Sequence, residues 1–340
     1  MYDYCSSRGV DYNKCGKLIV AASELQHRRD LHDILQRGVA NGVEELKLLD
    51  REDIRCMEPE VQCYGALWSP STGVVDSHGL MLAMLGEAEG CGTMLALNCA
   101  VTGLSLCSSM RNNNNNAGNN NMIHVETEDM DLYCENVVNA AGLFSAQLAA
   151  SFSFAKTTQF SQSPDVIKSK DHPQEQHQLM CNRQYFAKGN YFRLEGQRTP
   201  FSHLIYPVPE PGGLGVHATL DLNGYCRFGP DVQWISADCV DPDEIDLDVD
   251  PDRGDLFYEQ VRRYWPGLQD GCLAPDYAGV RPKIDHPDVS VGGLCGFADF
   301  VVQGPKDHGV AGVVHLIGME SPGLTSSLAV AELVADTLSA

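Results

Sequence analysis

A few side chains in this sequence combine reactive chemistry with a local pattern that could present them to a substrate. His217, in LGVHATLDL, is the first. An imidazole takes up or releases a proton near neutral pH, and the alternation of side chains along a strand can aim it into a pocket while its neighbours pack inward. The ordinary alternative is a histidine whose hydrogen bonds are satisfied in the core. His203, in FSHLIYP, is its rival. Arg281, in GVRPK, is the second. A planar guanidinium grips a carboxylate through two parallel hydrogen bonds, although a salt bridge to an acidic side chain would occupy it equally well. Lys188, Arg193, Arg227 and Lys283 are candidates for a second anionic group, and Tyr191 and Tyr206 would either orient a substrate or simply pack. The chemistry these types suit is proton removal from a small anionic molecule held by cations.

Metal chemistry has no comparable support. The acidic run DPDEIDLDVDPDRGD (241–255) alternates aspartates, but a calcium loop of the EF-hand kind needs Gly at its sixth place and Glu at its twelfth. Counted from Asp241, those places hold Asp246 and Asp252, so the run reads as a solvated loop ahead of a helix and no metal is expected. The 13 cysteines are odd in number and include no C-x-x-C pair, which points to a reduced compartment and to thiols acting as small hydrophobes. A formal net charge of −22 repels phosphate polyanions, and without a basic stripe nucleic acid is not an expected partner. A small anion remains admissible, because convergent arginines and lysines act more strongly than a distant average field.

The elements that must position these residues are legible as patterns. KCGKLIVAA (14–22) reads as a strand, after which Ser23 opens a helix with Leu31, Ile34, Leu35 and Val39 on one face and a stop at Gly42. Asp76 or Ser77 caps a second helix whose apolar face is Met81, Met84, Leu85 and Ala88 and whose end is Gly90. TMLALNCAVTGLSLC (93–107) reads as a strand, and IHVETED (123–129) as its hairpin partner beyond an asparagine-rich insertion at 108–122 that is too polar to order itself. NVVNAAGLFSAQLAA (136–150) is strand, glycine turn and helix, a geometry that lets backbone approach a ligand. Residues 161–178 read as an exposed loop, and 185–237 as short strands between Pro/Gly turns, hence a mainly antiparallel sheet. VVHLIGMESPGLTSSLAVAELVADTL (313–338) is strand, turn and helix, with Val330, Leu333, Val334 and Leu338 facing inward, Pro322 ahead of the helix and Thr325 or Ser326 as its cap. No apolar run approaches the roughly 18 residues that span a bilayer, and the first residues, MYDYC, show neither a signal peptide nor an Arg-rich transit helix.

Several longer blocks carry a family resemblance. KGNYF (188–192), FSHLIYPVPEPGGLGVHATLDLNGYCRFGPDV (201–232), GVRPK (279–283), DFVVQGP (299–305) and GMESPGLTSSLAVAELVA (318–335) look like those of the L-2-hydroxyglutarate dehydrogenases, in the same order. GALWSPSTGVVDSHGL (65–80) and VVNAAG (137–142) are similar to blocks of the wider D-amino acid oxidase type of flavin enzyme. The resemblance implies an α/β fold plus antiparallel sheet: a Rossmann-like FAD-binding domain with a mostly antiparallel substrate domain. It assigns 1–70 and 152–280 to the substrate domain, and 71–151 and 281–340 to the remaining part of the FAD domain. It implies that Asn139, Ala140, Ala141 and Gly142 pass the ADP side of FAD, and that Gly318, Gly323, Leu324 and Thr325 lie by the isoalloxazine, with Arg281 beside the flavin.

The family's opening strand–GxGxxG–helix unit is not matched by MYDYCSSRGVDYNKCGKLIVAA, and no GxGxxG occurs in the chain. The expectation is therefore a Rossmann-like domain missing its first βαβ unit. The implied reaction is oxidation of L-2-hydroxyglutarate to 2-oxoglutarate by hydride transfer to flavin N5. Implied partners are a dicarboxylate substrate and an electron acceptor other than NAD, with a mitochondrial location and loose peripheral membrane association. An amine or amino-acid oxidase on the same fold, and a non-catalytic remnant unable to hold FAD, are the alternatives.

Overall fold

A computed structural model describes residues 1–107, 122–154, 184–209, 215–236, 241–286 and 298–339. Almost all of the asparagine-rich insertion, the loop at 161–178 and the Pro/Gly turn at 210–214 lie outside the described residues. The chain divides into two compact units, Met1–Thr93, Ala187–Ile235 and Glu244–Val280 forming the first, and Met94–Phe186, Ser236–Asp243 and Arg281–Ala340 the second.

The first unit is organised on a sheet of strands in the order Gln233–Trp234, Tyr185–Leu194, Cys226–Phe228, Ala218–Leu220, Leu204–Pro207, Lys17–Ala21, Gly65–Ser69 and Lys47–Leu49, with Leu273–Lys283 joining along Tyr185–Leu194. Antiparallel pairings flank one parallel pair, in which Leu204 lies opposite Lys17 and Tyr206 opposite Ile19. Because strand side chains alternate, Leu18, Val20, Ala66, Phe192, Ile205, Ala218 and Phe228 share one face, and all are buried. The helix Gly254–Arg262 closes over that face through Phe257 and Val261, and the Phe192 and Phe257 rings lie 4.6 Å apart. Each large side chain so buried contributes about 1.5–3 kcal/mol. The opposite face carries Ile19 and Leu67, which pack beneath the helix Leu31–Ala40.

That helix begins with a π-type stretch at Gln26–Asp30, with the Ser23 hydroxyl accepting from the Gln26 N–H at 3.2 Å. Leu31, Ile34 and Leu35 turn inward as expected. Val39 does not; it is 60% exposed, because Leu46 packs against Gly38 at that turn instead. Gly42 stops the helix in the left-handed conformation, φ 77°, where the Val43 N–H reaches the Gly38 carbonyl. The helix Ser77–Gly90 is capped by Asp76, whose carboxylate accepts from the His78 N–H at 3.1 Å. Its buried residue is Leu80, packed on Cys5 and Val10 with Met84 alongside, whereas Met81 is exposed. The short helix Tyr2–Arg8, absent from the sequence patterns, supplies Cys5 and moves the apolar face one residue back. The helix ends at Gly90 as expected, and the left-handed glycine lies two residues further on, at Gly92.

The second unit holds two small sheets. Val101–Cys107 and Met122–Thr127 form the expected hairpin, with Cys107 opposite Met122 and Val101 opposite Thr127. The strand does not extend back to residue 93, and Met94 is 92% exposed. Its partner turns away after Thr127, whose N–H bonds the Met130 carbonyl, so nothing continues the ladder. In the other sheet Val313–Ile317 runs parallel to Val137–Asn139 and antiparallel to Val301–Gln303, and all five of its residues are buried. The helix Gly323–Ser339 covers it with Val330, Val334 and Leu338 on Val314 and Leu316. Leu333, about 100° round the helix from Val334, is half exposed. Thr325 and Ser326 do not cap: the helix starts two residues earlier, and both hydroxyls donate to the Pro322 carbonyl.

Candidate active site

In the first unit the strand register decides which chemistry-bearing residues share a face. Ile205 lies opposite Ala218, so Tyr206 and His217 are neighbours on the face turned away from the Phe192–Phe228 core. Their rings stack at 3.7 Å with planes 6° apart. Lys17 occupies the same face, its ammonium 5.0 Å from the Tyr206 ring centroid. Burial pushes the Lys17 pKa below the ordinary lysine value, and among the described residues no carboxylate pairs with it. Lys17 carried one signal in the sequence, a single charge inside the otherwise apolar run KLIVA, and no motif marked it.

The other candidate cations of this unit are engaged. Lys188 is buried, with Nζ donating to the Asp248 carbonyl at 2.6 Å. Arg227 pairs with Asp276 at 2.6 Å and Asp221 at 3.5 Å. Arg193 bonds Glu195 and the Pro275 carbonyl. Tyr191 stacks on Tyr277, centroids 4.5 Å apart. His203 donates to buried Glu58 at 2.6 Å, and the same carboxylate oxygen accepts the Ser202 and His203 N–H groups, so this histidine serves a turn. The acidic run is likewise structural: Asp246 and Asp250 each accept the N–H two residues on, and Arg253 pairs with buried Asp231. No cluster of metal-ligating side chains occurs among the described residues. An open cleft of about 520 Å³ elsewhere on this unit, lined by Arg51, Arg55, Tyr64 and Arg263 among others, contains none of the candidate residues.

In the second unit, the turn after Val137–Asn139 is built by its own polar groups. Asn139 is buried, donates to the Ser145 carbonyl at 2.8 Å and to His315 Nδ1 at 3.1 Å, and accepts the Ala141 N–H. Burial, with His308 nearby, lowers the His315 pKa to about 4. Gln184, which no motif marked, donates to the Gly142 and Leu143 carbonyls and fixes the turn from the outside. Ala140 and Ala141 complete the turn, and Gly142 has φ 57° with nothing within 4 Å of a would-be Cβ. After Val313–Ile317, Gly318 has φ 70° and lies against Ile284. Gly323, at the start of the 17-residue helix, faces open space, and Leu324 and Thr325 follow it on the surface. Lys283 reaches Glu320 at 2.6 Å, tying the GVRPK segment to this turn. Arg281 is half-buried and, among the described residues, its side chain has neither an ion pair nor a hydrogen bond.

The family model for FAD dependent oxidoreductases matches residues 1–337. The chain belongs to the FAD dependent oxidoreductase family. Its relatives include the mitochondrial L-2-hydroxyglutarate dehydrogenase of Arabidopsis thaliana, 36% identical over 99% of this chain and 68% of that protein. The L-2-hydroxyglutarate dehydrogenase of Escherichia coli K12 is 26% identical over 96% of this chain and 73% of its own length. Among solved structures, the FAD-bound L-alpha-glycerophosphate oxidase of Mycoplasma pneumoniae has a TM-score of 0.72 at 21% identity, covering 97% of this chain and 74% of that one. Glycine oxidase from Bacillus cereus has a TM-score of 0.64 at 18% identity, covering 99% and 77%. These likenesses establish the fold of an FAD dependent oxidoreductase, and FAD is its cofactor. The residues present fit that group: two parallel strands each run into a turn with a left-handed glycine, and one turn leads to the amino terminus of a long helix, where a Cβ on Gly323 would meet none of the described residues.

Proposed function

We propose that this FAD dependent oxidoreductase oxidises L-2-hydroxyglutarate to 2-oxoglutarate. The observation that carries the reading is Arg281, a half-buried guanidinium without a partner among the described residues of a chain with 46 acidic side chains. An unpaired cation that is partly desolvated favours an anionic ligand. The names of the relatives supply the diacid.

Bound FAD supplies the two-electron acceptor to which the C2 hydride passes. Arg281 holds one carboxylate and thereby orients C2. His217 takes the proton of the C2 hydroxyl as the carbonyl forms, and the stacked Tyr206 ring fixes the imidazole plane. Tyr191 orients the substrate from the same sheet. Asn139, Ala140, Ala141 and Gly142 hold the ADP side of the cofactor, and Gly318, Gly323, Leu324 and Thr325 its isoalloxazine side. There the helix amino terminus stabilises negative charge. The acceptor that reoxidises the enzyme is other than NAD. A mitochondrial location follows the naming of the eukaryotic relatives, and loose peripheral membrane association belongs to the same reading. No described helix is long and apolar enough to cross a bilayer.

Replacing Arg281 by Lys keeps the charge but removes the bidentate fork. The expected result is a fall in kcat/KM for L-2-hydroxyglutarate of about ten- to a hundredfold. Unchanged turnover and affinity would remove the carboxylate assignment, and faster turnover of L-glutamate than of L-2-hydroxyglutarate would replace this reading with amino-acid oxidation.

A further inference from the structure

Holding a five-carbon diacid requires a cation at each end, and the reading above assigns only one. The residues that the sequence offered for the second end are occupied: Lys188 by the Asp248 carbonyl, Arg193 by Glu195, Arg227 by Asp276, Lys283 by Glu320. Lys17 is not. It is half-buried in a five-residue strand whose other members are apolar, and no carboxylate among the described residues pairs with it. A partly desolvated ammonium with no counter-ion is costly unless something else meets it.

Its placement says what that would be. Lys17 and His217 are on the same sheet face, separated by the strand that carries Tyr206, and both approach the Tyr206 ring, at 5.0 Å and 3.7 Å from its centroid. The cation and the proposed base thus flank one aromatic ring. In L-2-hydroxyglutarate the far carboxylate lies three carbons beyond the hydroxyl-bearing carbon. We propose that Lys17 binds the distal carboxylate and selects dicarboxylic over monocarboxylic 2-hydroxy acids. This inference rests on the reading of the function given above.

The test uses glutarate and valerate, five-carbon acids with two carboxylates and one, titrated by calorimetry into the full chain, so that no redox turnover is needed. The unmodified protein should bind glutarate more tightly. Lys17→Met should weaken glutarate about ten- to a hundredfold, down to the level of valerate, and leave valerate unchanged. Lys17→Arg should keep the preference. Arg281→Met should weaken both acids. Lys17→Gln provides a second neutral variant, and far-UV circular dichroism melting identifies a variant that fails to fold. Glutarate affinity within twofold of the unmodified value in either folded neutral variant overturns the assignment of Lys17 while leaving the proposed reaction standing. Equal weakening of both acids overturns it too, since that marks a structural role. If the unmodified protein binds neither acid, the proposed reaction fails and this inference fails with it.

Discussion

His315 illustrates how a single buried side chain couples the FAD-side turn to pH. It sits beside Asn139, and burial with His308 nearby lowers its pKa to about 4 from the ordinary histidine value of 6.5. The native state therefore keeps the imidazole neutral where the unfolded chain would take up a proton. Between pH 6.5 and 4 the unfolded state binds more protons, so the contribution is fully present above pH 6.5 and is lost as pH falls towards 4. The whole window is worth roughly 3 kcal/mol, and about 2 kcal/mol of it is gone at pH 5. Urea unfolding at pH 7.5 and pH 5 should show that loss in the unmodified protein and its absence in His315→Gln. An equal loss in both would mean that other groups carry the pH dependence. Asn139 could be singled out from VVNAAG in the sequence; the histidine that it meets across the sheet, 176 positions later, could not.

The glycine turns test the same architecture at the level of elements. Gly142 and Gly318 both have left-handed backbones, at φ 57° and 70°, but their surroundings differ. A methyl group on Gly142 would meet open space, whereas one on Gly318 would come within 2.8 Å of the Ile284 side chain. Gly142→Ala should cost about 1 kcal/mol, the conformational penalty alone. Gly318→Ala should cost about 2–3 kcal/mol, because a packing clash is added. Thermal melting of the two variants orders them, and a larger loss for Gly142→Ala would contradict the packing argument. The Val137–Asn139 and Val313–Ile317 strands were visible as apolar runs ending in glycine turns, and the second, buried on both faces, shows no alternation. Helix faces were less legible. Val39, Met81 and Leu333 fit an apolar stripe, yet each is exposed because a neighbour from another segment, or a rotation of one residue, decides where the stripe ends.

For the whole molecule, the dominant sequence property is a net charge of −22. Like charges spread over the surface repel in the compact state, and salt screens them over a Debye length of about 10 Å at 0.1 M. Raising sodium chloride from about 50 mM to about 500 mM should therefore raise the melting temperature by a few degrees. A constant or falling melting temperature would show that surface ion pairs such as Arg8–Glu87 and Arg193–Glu195 outweigh the repulsion. The same charge makes it informative that Arg281 and Lys17 have no carboxylate partner among the described residues, because acidic side chains are abundant.

Residue type and short-range pattern settled much by themselves: the antiparallel hairpins, the stop at Gly42, a cap at Asp76 or Ser77, and the strand–glycine turn–helix units. Each of these depends on backbone geometry and on alternation between neighbours along the chain. Which cations are committed and which are free was decided only by the tertiary structure. Lys188 and Asp248, Arg227 and Asp276, and Lys283 and Glu320 are 60, 49 and 37 positions apart, so their pairing depends on how the chain returns upon itself. A side chain's partner, whether a carboxylate or a carbonyl, is chosen through space, and no local pattern encodes it.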